Sequence, residues 1–262
     1  MIKQADLGRR KRLVFAAAKI AWQVDRPVAD PDQPTDLVAD RLPHTPDLAI
    51  TTFSQADVEP AIGSLAARYV RPGTTCYDLG CSLGAATIAM RHGISEPCCR
   101  VVAVDSAPAM VKRCREILAE DDRQSGPETQ VDIIEGDICD IEFTNASMVV
   151  LNYTLQFVDP GARDALVQRI FDGLNEGGLL VLSEKVVDES AHMEELLVDL
   201  HHEHKRRNHY SALEVARKRV ALEDVLVPES VATHRERLQR VGFSHSAVWL
   251  RYFNFVSIIA IR

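Results

Sequence analysis

The stretch Thr75-Cys-Tyr-Asp-Leu-Gly-Cys-Ser-Leu-Gly-Ala-Ala-Thr87 constrains the fold of this chain more than any other. An apolar run ends at Asp78, breaks at Gly80 and Gly84, and continues into Ala85, Ala86, Thr87, Ile88, Ala89 and Met90, which suit a helix. Strand, glycine turn and helix in this order open a nucleotide-binding βαβ unit. Gly80 permits a sharp turn and a close approach to a ligand, and Gly84 permits tight packing of helix on strand. The free N–H groups at the start of the new helix then face the ligand. Similar turns also occur without any ligand, so the turn alone leaves a structural role open.

The flanking sequence predicts what this unit belongs to. Asp57 to Val70 repeats apolar residues at helical spacing until Pro72-Gly73 stops it. Arg100-Val-Val-Ala-Val-Asp105 reads as a buried parallel strand, with Ser106 as the expected cap and Pro108 in the first turn of the next helix. Val131–Glu135, Ser147–Leu151 and Leu179–Ser183 follow as strands, and a helix from about 161 to 174 is expected to end at Asn175-Glu-Gly-Gly178. Strands alternating with helices predict a parallel, doubly wound α/β sheet. Residues 188–240 break the rhythm: they are helical and charge-rich, with no strand candidate. The closing runs Ala247–Phe253 and Phe255–Ile261 lie too close for a crossover helix and pair as an antiparallel hairpin. The expected fold is therefore Rossmann-like: a seven-stranded, mostly parallel sheet with a C-terminal antiparallel hairpin and a helical insert at 188–240. This is the pattern of class I S-adenosylmethionine-dependent enzymes.

The 262 residues fit one large α/β domain with such an insert. We expect residues 1–56 to form an N-terminal extension and lid, and 57–262 the α/β domain. Residues 25–47, with Pro27, Pro31, Pro34, Pro43 and Pro46, read as a linker or irregular lid. The net charge of −8 argues against broad binding to nucleic acid or anionic membrane. No run approaches the roughly 18 apolar residues of a transmembrane helix. Arg9–Arg12 ahead of Leu13–Ala18 loosely imitates a signal peptide, but Lys19 interrupts the apolar core, leaving a basic amphipathic helix or a frayed extension. Six cysteines without C-x-x-C or zinc-like spacing predict reduced thiols in a cytoplasmic protein.

Three ligands fit an opening βα turn: NAD, a plain nucleotide and S-adenosylmethionine. Asp105, at a strand end, suits the ribose hydroxyls of either NAD or S-adenosylmethionine. Asp137 and the backbone of Ile138 suit an adenine. The turn itself separates the readings. A dinucleotide fingerprint places a second glycine where this chain has Ser82, and no Walker lysine follows. Weak provision for phosphate beside good ribose and adenine groups favours S-adenosylmethionine. The bland alternative is that both aspartates merely cap helices.

Longer motifs sharpen this reading. Tyr77–Thr87, Ser106-Ala-Pro-Ala-Met110, Glu135–Ile138, Asn145-Ala-Ser-Met-Val-Val-Leu-Asn152, Thr154-Leu-Gln-Phe157, Leu182-Ser-Glu-Lys185, Lys218-Arg219 and Phe253-Asn-Phe255 together resemble the carboxy-S-adenosylmethionine synthases of the tRNA wobble-uridine modification pathway. The likeness runs from about residue 61 to the C-terminus. It implies the class I methyltransferase fold, a homodimer, and conversion of S-adenosylmethionine and prephenate to carboxy-S-adenosylmethionine, phenylpyruvate and water. A sulfonium acidifies its own methyl group, so a ylide can capture the carboxyl group that prephenate loses on aromatising. By motif position, the resemblance assigns Gly80, Cys81 and Ser82 to the methionine and sulfonium region, Asp105 and Ser106 to the ribose, Asp137 and Ile138 to the adenine, and Asn152 to the cofactor. It assigns Arg219 to the transferred carboxylate, which an Arg fork suits bidentately. The chain departs from the family upstream, where Phe53 or Gln55 stands in place of a ligand-touching tyrosine.

Two other function classes remain beside the synthase: an S-adenosylmethionine-dependent small-molecule methyltransferase, and a noncatalytic binder of the cofactor or its carboxy derivative. His201-His-Glu-His204, near His209, lacks an evident third ligand, so no metal is expected and a solvated or interface helix is. Trp22 and Trp249 read as packing residues, and Glu184 and Lys185 as supporting groups at the pocket mouth.

Overall fold

The computed structural model describes residues 58–125, 129–207 and 226–262. The N-terminal extension with Phe53, Gln55 and Trp22, together with His209 and Arg219, lies outside the described residues. In chain order the elements are α1 (Val58–Tyr69), β1 (Thr75–Leu79), α2 (Ala85–Gly93), β2 (Arg100–Asp105), α3 (Pro108–Ser125), β3 (Gln130–Glu135) and β4 (Ala146–Asn152). They continue with α4 (Pro160–Gly173), β5 (Leu174–Val187), α5 (Ala191–Arg207), β6 (Glu229–Ser230), α6 (Val231–Val241), β7 (His245–Tyr252) and β8 (Phe255–Ile261).

The strand order is β3-β2-β1-β4-β5-β8-β7, with β6 beside β5. The five strands β1–β5 run parallel, and β8 and β7 close the sheet as an antiparallel pair. Period-two alternation along the strands fills both faces of the sheet. Tyr77, Leu79, Val149, Leu151, Leu180 and Leu182 pack with Leu166, Val167 and Ile170 of α4. Their neighbours Cys76, Met148, Val150, Leu179 and Val181 pack on the other core, with Ile62 and Leu65 of α1 and Met90 of α2. The chain winds from β1 outward to β3, then crosses back to β4 on the other side of β1. The ends of β1 and β4 therefore form a topological switch point, the place where open α/β sheets bind ligands.

The structure corrects the sequence reading at three places. The insert does contain a strand: Glu229 and Ser230 pair in parallel with Val186 and Val187. The helix before β5 ends at Gly173, and Asn175–Gly178 belongs to the strand rather than to a terminating loop. Backbone bonds to the chain end draw it in, from Gly177 N–H to Arg262 O (3.1 Å) and from Arg262 N–H to Gly178 O (3.0 Å). At the start of α3 the cap position is Ala107, not Ser106, because the first helical bond runs from Val111 N–H to Ala107 O (3.0 Å).

Candidate active site

The glycine turn hangs from the second strand. Gly80 and Cys81 both donate their N–H groups to Val104 O, at 2.8 and 2.9 Å. The chain can bend there because Gly80 sits at φ 77° and Gly84 at φ 86°, a left-handed region that side chains disfavour. Ser82, between them, also takes a left-handed φ of 52°. It is fully buried, and its Oγ meets Met110 Sδ at 3.5 Å. Asp78 fastens the turn from below, where Thr87 Oγ1 donates to its Oδ2 at 2.6 Å and ties β1 to α2. No side chain caps α2, which leaves its first N–H groups to the crevice.

Asp105 is buried at the end of β2 and accepts from two backbone groups: Ser82 N–H on Oδ2 and Ala107 N–H on Oδ1, both at 2.9 Å. A carboxylate at a strand end is the group that suits ribose hydroxyls, and this one also holds the backbone of the turn. Asp137, exposed at the end of β3, caps the short 3-10 turn Ile138–Asp140 through Cys139 N–H at 2.9 Å. The two aspartates thus do hold backbone, as the bland alternative had it, and they stand at the strand ends where an adenosine would lie. Asn152 ends β4 across the switch point, and its Oδ1 is buried without a hydrogen-bond partner. Gly80, Cys81, Ser82, Asp105, Ser106, Asp137, Ile138 and Asn152 all lie along the carboxyl edge of β1–β4.

The donor set fits S-adenosylmethionine. A buried carboxylate stands at the end of β2, the Ser82 side chain occupies the place of a pyrophosphate-admitting glycine, and the buried Asn152 Oδ1 has no partner within the protein. Cys81 is no nucleophile: its hydrogen bond with Cys114, and then burial, push its thiol well above the ordinary range.

Two groups escaped the sequence reading or were underrated by it. Glu184 is fully buried, and both its oxygens accept backbone N–H groups of the turn after β4, from Leu155 (2.8 Å) and Gln156 (2.9 Å). Burial pushes its carboxyl up to about 8, against the opposing hydrogen bonds from Gln156 and Leu155 and the Arg163 charge. Arg163, also fully buried, donates to Val158 O, Gln156 O and Val227 O at 3.0, 3.1 and 2.9 Å. Its Nη1 lies 2.9 Å from Glu229, an ion pair without hydrogen-bond alignment. The returning end of the insert is thereby bolted to the turn beside Asn152. His201 and His204 instead pack on the hairpin: His204 Nδ1 meets Tyr252 Oη at 3.0 Å, and His201 sits edge-on to Phe255 at 4.9 Å. Trp249 packs against the core and donates to Ser257 Oγ at 2.8 Å.

Residues 77–178 match the methyltransferase domain family. The chain is 51% identical over 201 residues to the carboxy-S-adenosyl-L-methionine synthase of Klebsiella pneumoniae subsp. pneumoniae, spanning 77% of this chain and 80% of that one. It is 53% identical, with the same coverage, to the carboxy-S-adenosyl-L-methionine synthase of Escherichia coli O1:K1 / APEC. Its fold is similar to that of human N-acetylserotonin methyltransferase in complex with S-adenosylmethionine, at a TM-score of 0.51 and 16% identity over 79% of this chain and 51% of that one. That last likeness concerns the fold alone. Identity of about half across most of both sequences goes further, and by it the chain belongs to the carboxy-S-adenosyl-L-methionine synthase family.

Proposed function

We propose that the switch-point crevice binds S-adenosylmethionine and that the protein converts it, with prephenate, to carboxy-S-adenosylmethionine, phenylpyruvate and water. The observation that carries this reading is the orphaned Asn152 oxygen at the end of β4, the strand beside the one whose turn holds the buried Ser82. In this reading Gly80, Cys81 and Ser82 hold the methionine and sulfonium end, Asp105 and Ser106 the ribose, and Asp137 and the Ile138 backbone the adenine. Arg219 receives the new carboxylate.

The sulfonium, when bound, makes its methyl group acidic. The chain's own contribution is to orient that group and exclude water. Buried Cys81 and Ser82 keep solvent from the turn, and Asp105 holds the turn's shape through Ser82 N–H. Atoms balance with no added oxidant or base: the methyl group loses a proton and gains the carboxyl group of prephenate, whose departing hydroxide takes up the proton as water. The product would supply the carboxymethyl donor for tRNA wobble-uridine modification. We further propose a cytoplasmic homodimer, with residues 57–262 as the cofactor-binding unit and no direct contact to nucleic acid or membrane. Among the described residues no helix is long and apolar enough to cross a membrane.

Mass spectrometry of the copurifying ligand, followed by incubation with S-adenosylmethionine and prephenate, tests the reading. Carboxy-S-adenosylmethionine and phenylpyruvate are expected. A demethylated cofactor would instead indicate methyl transfer, and no phenylpyruvate above background would refute the synthase. Arg219→Met is expected to abolish retention of the carboxy ligand, and unchanged retention would refute its role.

A further inference from the structure

Past Asn152, the carboxyl edge continues onto β5 and the β7–β8 turn, and two more buried amides stand there. Gln156 is 2% exposed and Asn254 1%. The Gln156 backbone is already held, by its N–H donated to Glu184 and its O accepting Val227 N–H at 3.0 Å. Its side-chain Oε1 accepts Lys185 N–H at 3.0 Å, which fixes the amide orientation and leaves Nε2 buried without a partner. Asn254 anchors through its backbone O, which accepts Val186 N–H at 2.8 Å. Neither its Oδ1 nor its Nδ2 has a partner.

The Gln156 side chain and the Asn254 backbone therefore hold consecutive residues of β5, one from the β4 side and one from the β8 side. Tyr153 and Phe255 join the two turns in an edge-on contact with centroids 6.0 Å apart. Both turns are bent to make this arrangement, with Tyr153 at φ 56° and Phe253 at φ 50°. Core positions between a strand end and a hairpin would be served by apolar side chains at no desolvation cost. Buried amides left open, next to aromatic rings and beyond the cofactor's Asn152, instead match a polar substrate with a hydrocarbon ring.

Resting on the reading proposed above, we propose that Gln156 Nε2 and the Asn254 side-chain amide form the binding subsite for the second, carboxylate- and carbonyl-bearing cyclic substrate. Neutral donors suit that substrate. They orient its anionic oxygens without the tight ion pair that would stabilise the ground state against loss of the carboxyl group.

Calorimetric titration of the full-length, S-adenosylmethionine-loaded protein with phenylpyruvate, a stable probe, and steady-state KM for prephenate test this together. Gln156→Glu keeps the acceptor for Lys185 N–H and loses the donor, and Asn254→Asp likewise replaces a donor with an acceptor. Each is expected to weaken phenylpyruvate binding and raise the prephenate KM at least tenfold. Cofactor affinity is expected to stay within twofold. Folded variants with unchanged phenylpyruvate affinity and unchanged KM would overturn the proposal, as would wild-type protein that binds neither probe. Should an acidic variant fail to fold, Gln156→Met and Asn254→Ser carry the same two readouts. Wild-type binding of phenylpyruvate that the variants lose, without any carboxy product, would refute the synthase reading while leaving the subsite standing.

Discussion

Asp105 Oδ2 accepts the Ser82 backbone N–H at 2.9 Å, so the acidic end of the second strand fixes the middle of the cofactor turn. Its other oxygen holds Ala107 N–H. Asp105→Asn keeps one acceptor and turns an amide NH2 against a backbone donor. We expect a loss of about 1–3 kcal/mol in stability, together with at least tenfold weaker S-adenosylmethionine binding. Urea melts and calorimetry check this, and an unchanged affinity would disconnect the carboxylate from the cofactor site.

The turn stores backbone strain at Ser82 and relies on a side-chain-free position at Gly84. Ser82→Gly is expected to raise stability by up to about 1 kcal/mol, because glycine adopts a left-handed φ freely. Gly84→Ala is expected to cost about 1–3 kcal/mol, since a Cβ there would lie 2.7 Å from Cys114 Sγ at φ 86°. The double variant Gly84→Ala with Cys114→Ala separates the two causes: it recovers the part due to the clash and none of the part due to the dihedral. Thermal melts of the three variants provide the comparison.

The legible parts of this chain are those governed by local pattern. Arg100–Asp105 spans the predicted residues because five consecutive residues buried between neighbouring strands, Val101 to Asp105, must read as one apolar run closed by an acid. Gly80 and Gly84 announced themselves because their φ values have no other convenient occupant. Long-range partners hid the rest. Asn175–Gly178 has the composition of a turn and becomes strand through Arg262, far along the chain. Arg163 looks like any helical cation facing water until the segment at Val227–Glu229 crosses over it. Gln156 and Asn254 lay inside motifs that carried the family resemblance, yet only burial without partners reveals what those motifs hold.

Arg163 is expected to be the most sensitive of these positions. Arg163→Met removes donors to three carbonyls, and Arg163→Lys cannot replace a planar fork with a single ammonium. Glu229 keeps Arg237 at 2.8 Å, which limits the damage on its side. We expect both variants to lose about 3–5 kcal/mol, with hydrogen exchange at the Val227 amide accelerating before global unfolding. Protection at Val227 equal to wild type would contradict the anchoring role.

Buried titratable groups set opposite slopes on the pH axis. Glu184 rises from its ordinary 4.5 to about 8, so between these values the unfolded chain has released a proton that the folded chain keeps. Stability from this group is full below 4.5 and lost as pH rises through about 8, at up to about 1.4 kcal/mol per pH unit. Glu184→Gln should flatten that slope in urea melts from pH 5 to 8. On the acid side, burial and the nearby guanidinium groups outweigh Glu229 and hold His234 at about 4. Its contribution is present above 6.5 and lost as pH falls through about 4, so His234→Gln should blunt acid unfolding in that window.

The two-residue strand at Glu229–Ser230 pairs with Val186 and Val187, the last residues of the fifth strand before the chain departs. Everything between Val187 and Glu229 is consequently an excursion that rejoins the sheet level with its point of departure. Lengthening such an excursion is thermodynamically cheap, roughly 0.6 kcal/mol for each doubling of its length. The paired residues Val186–Val187 and Glu229–Ser230 thus give the excursion a fixed socket on the sheet.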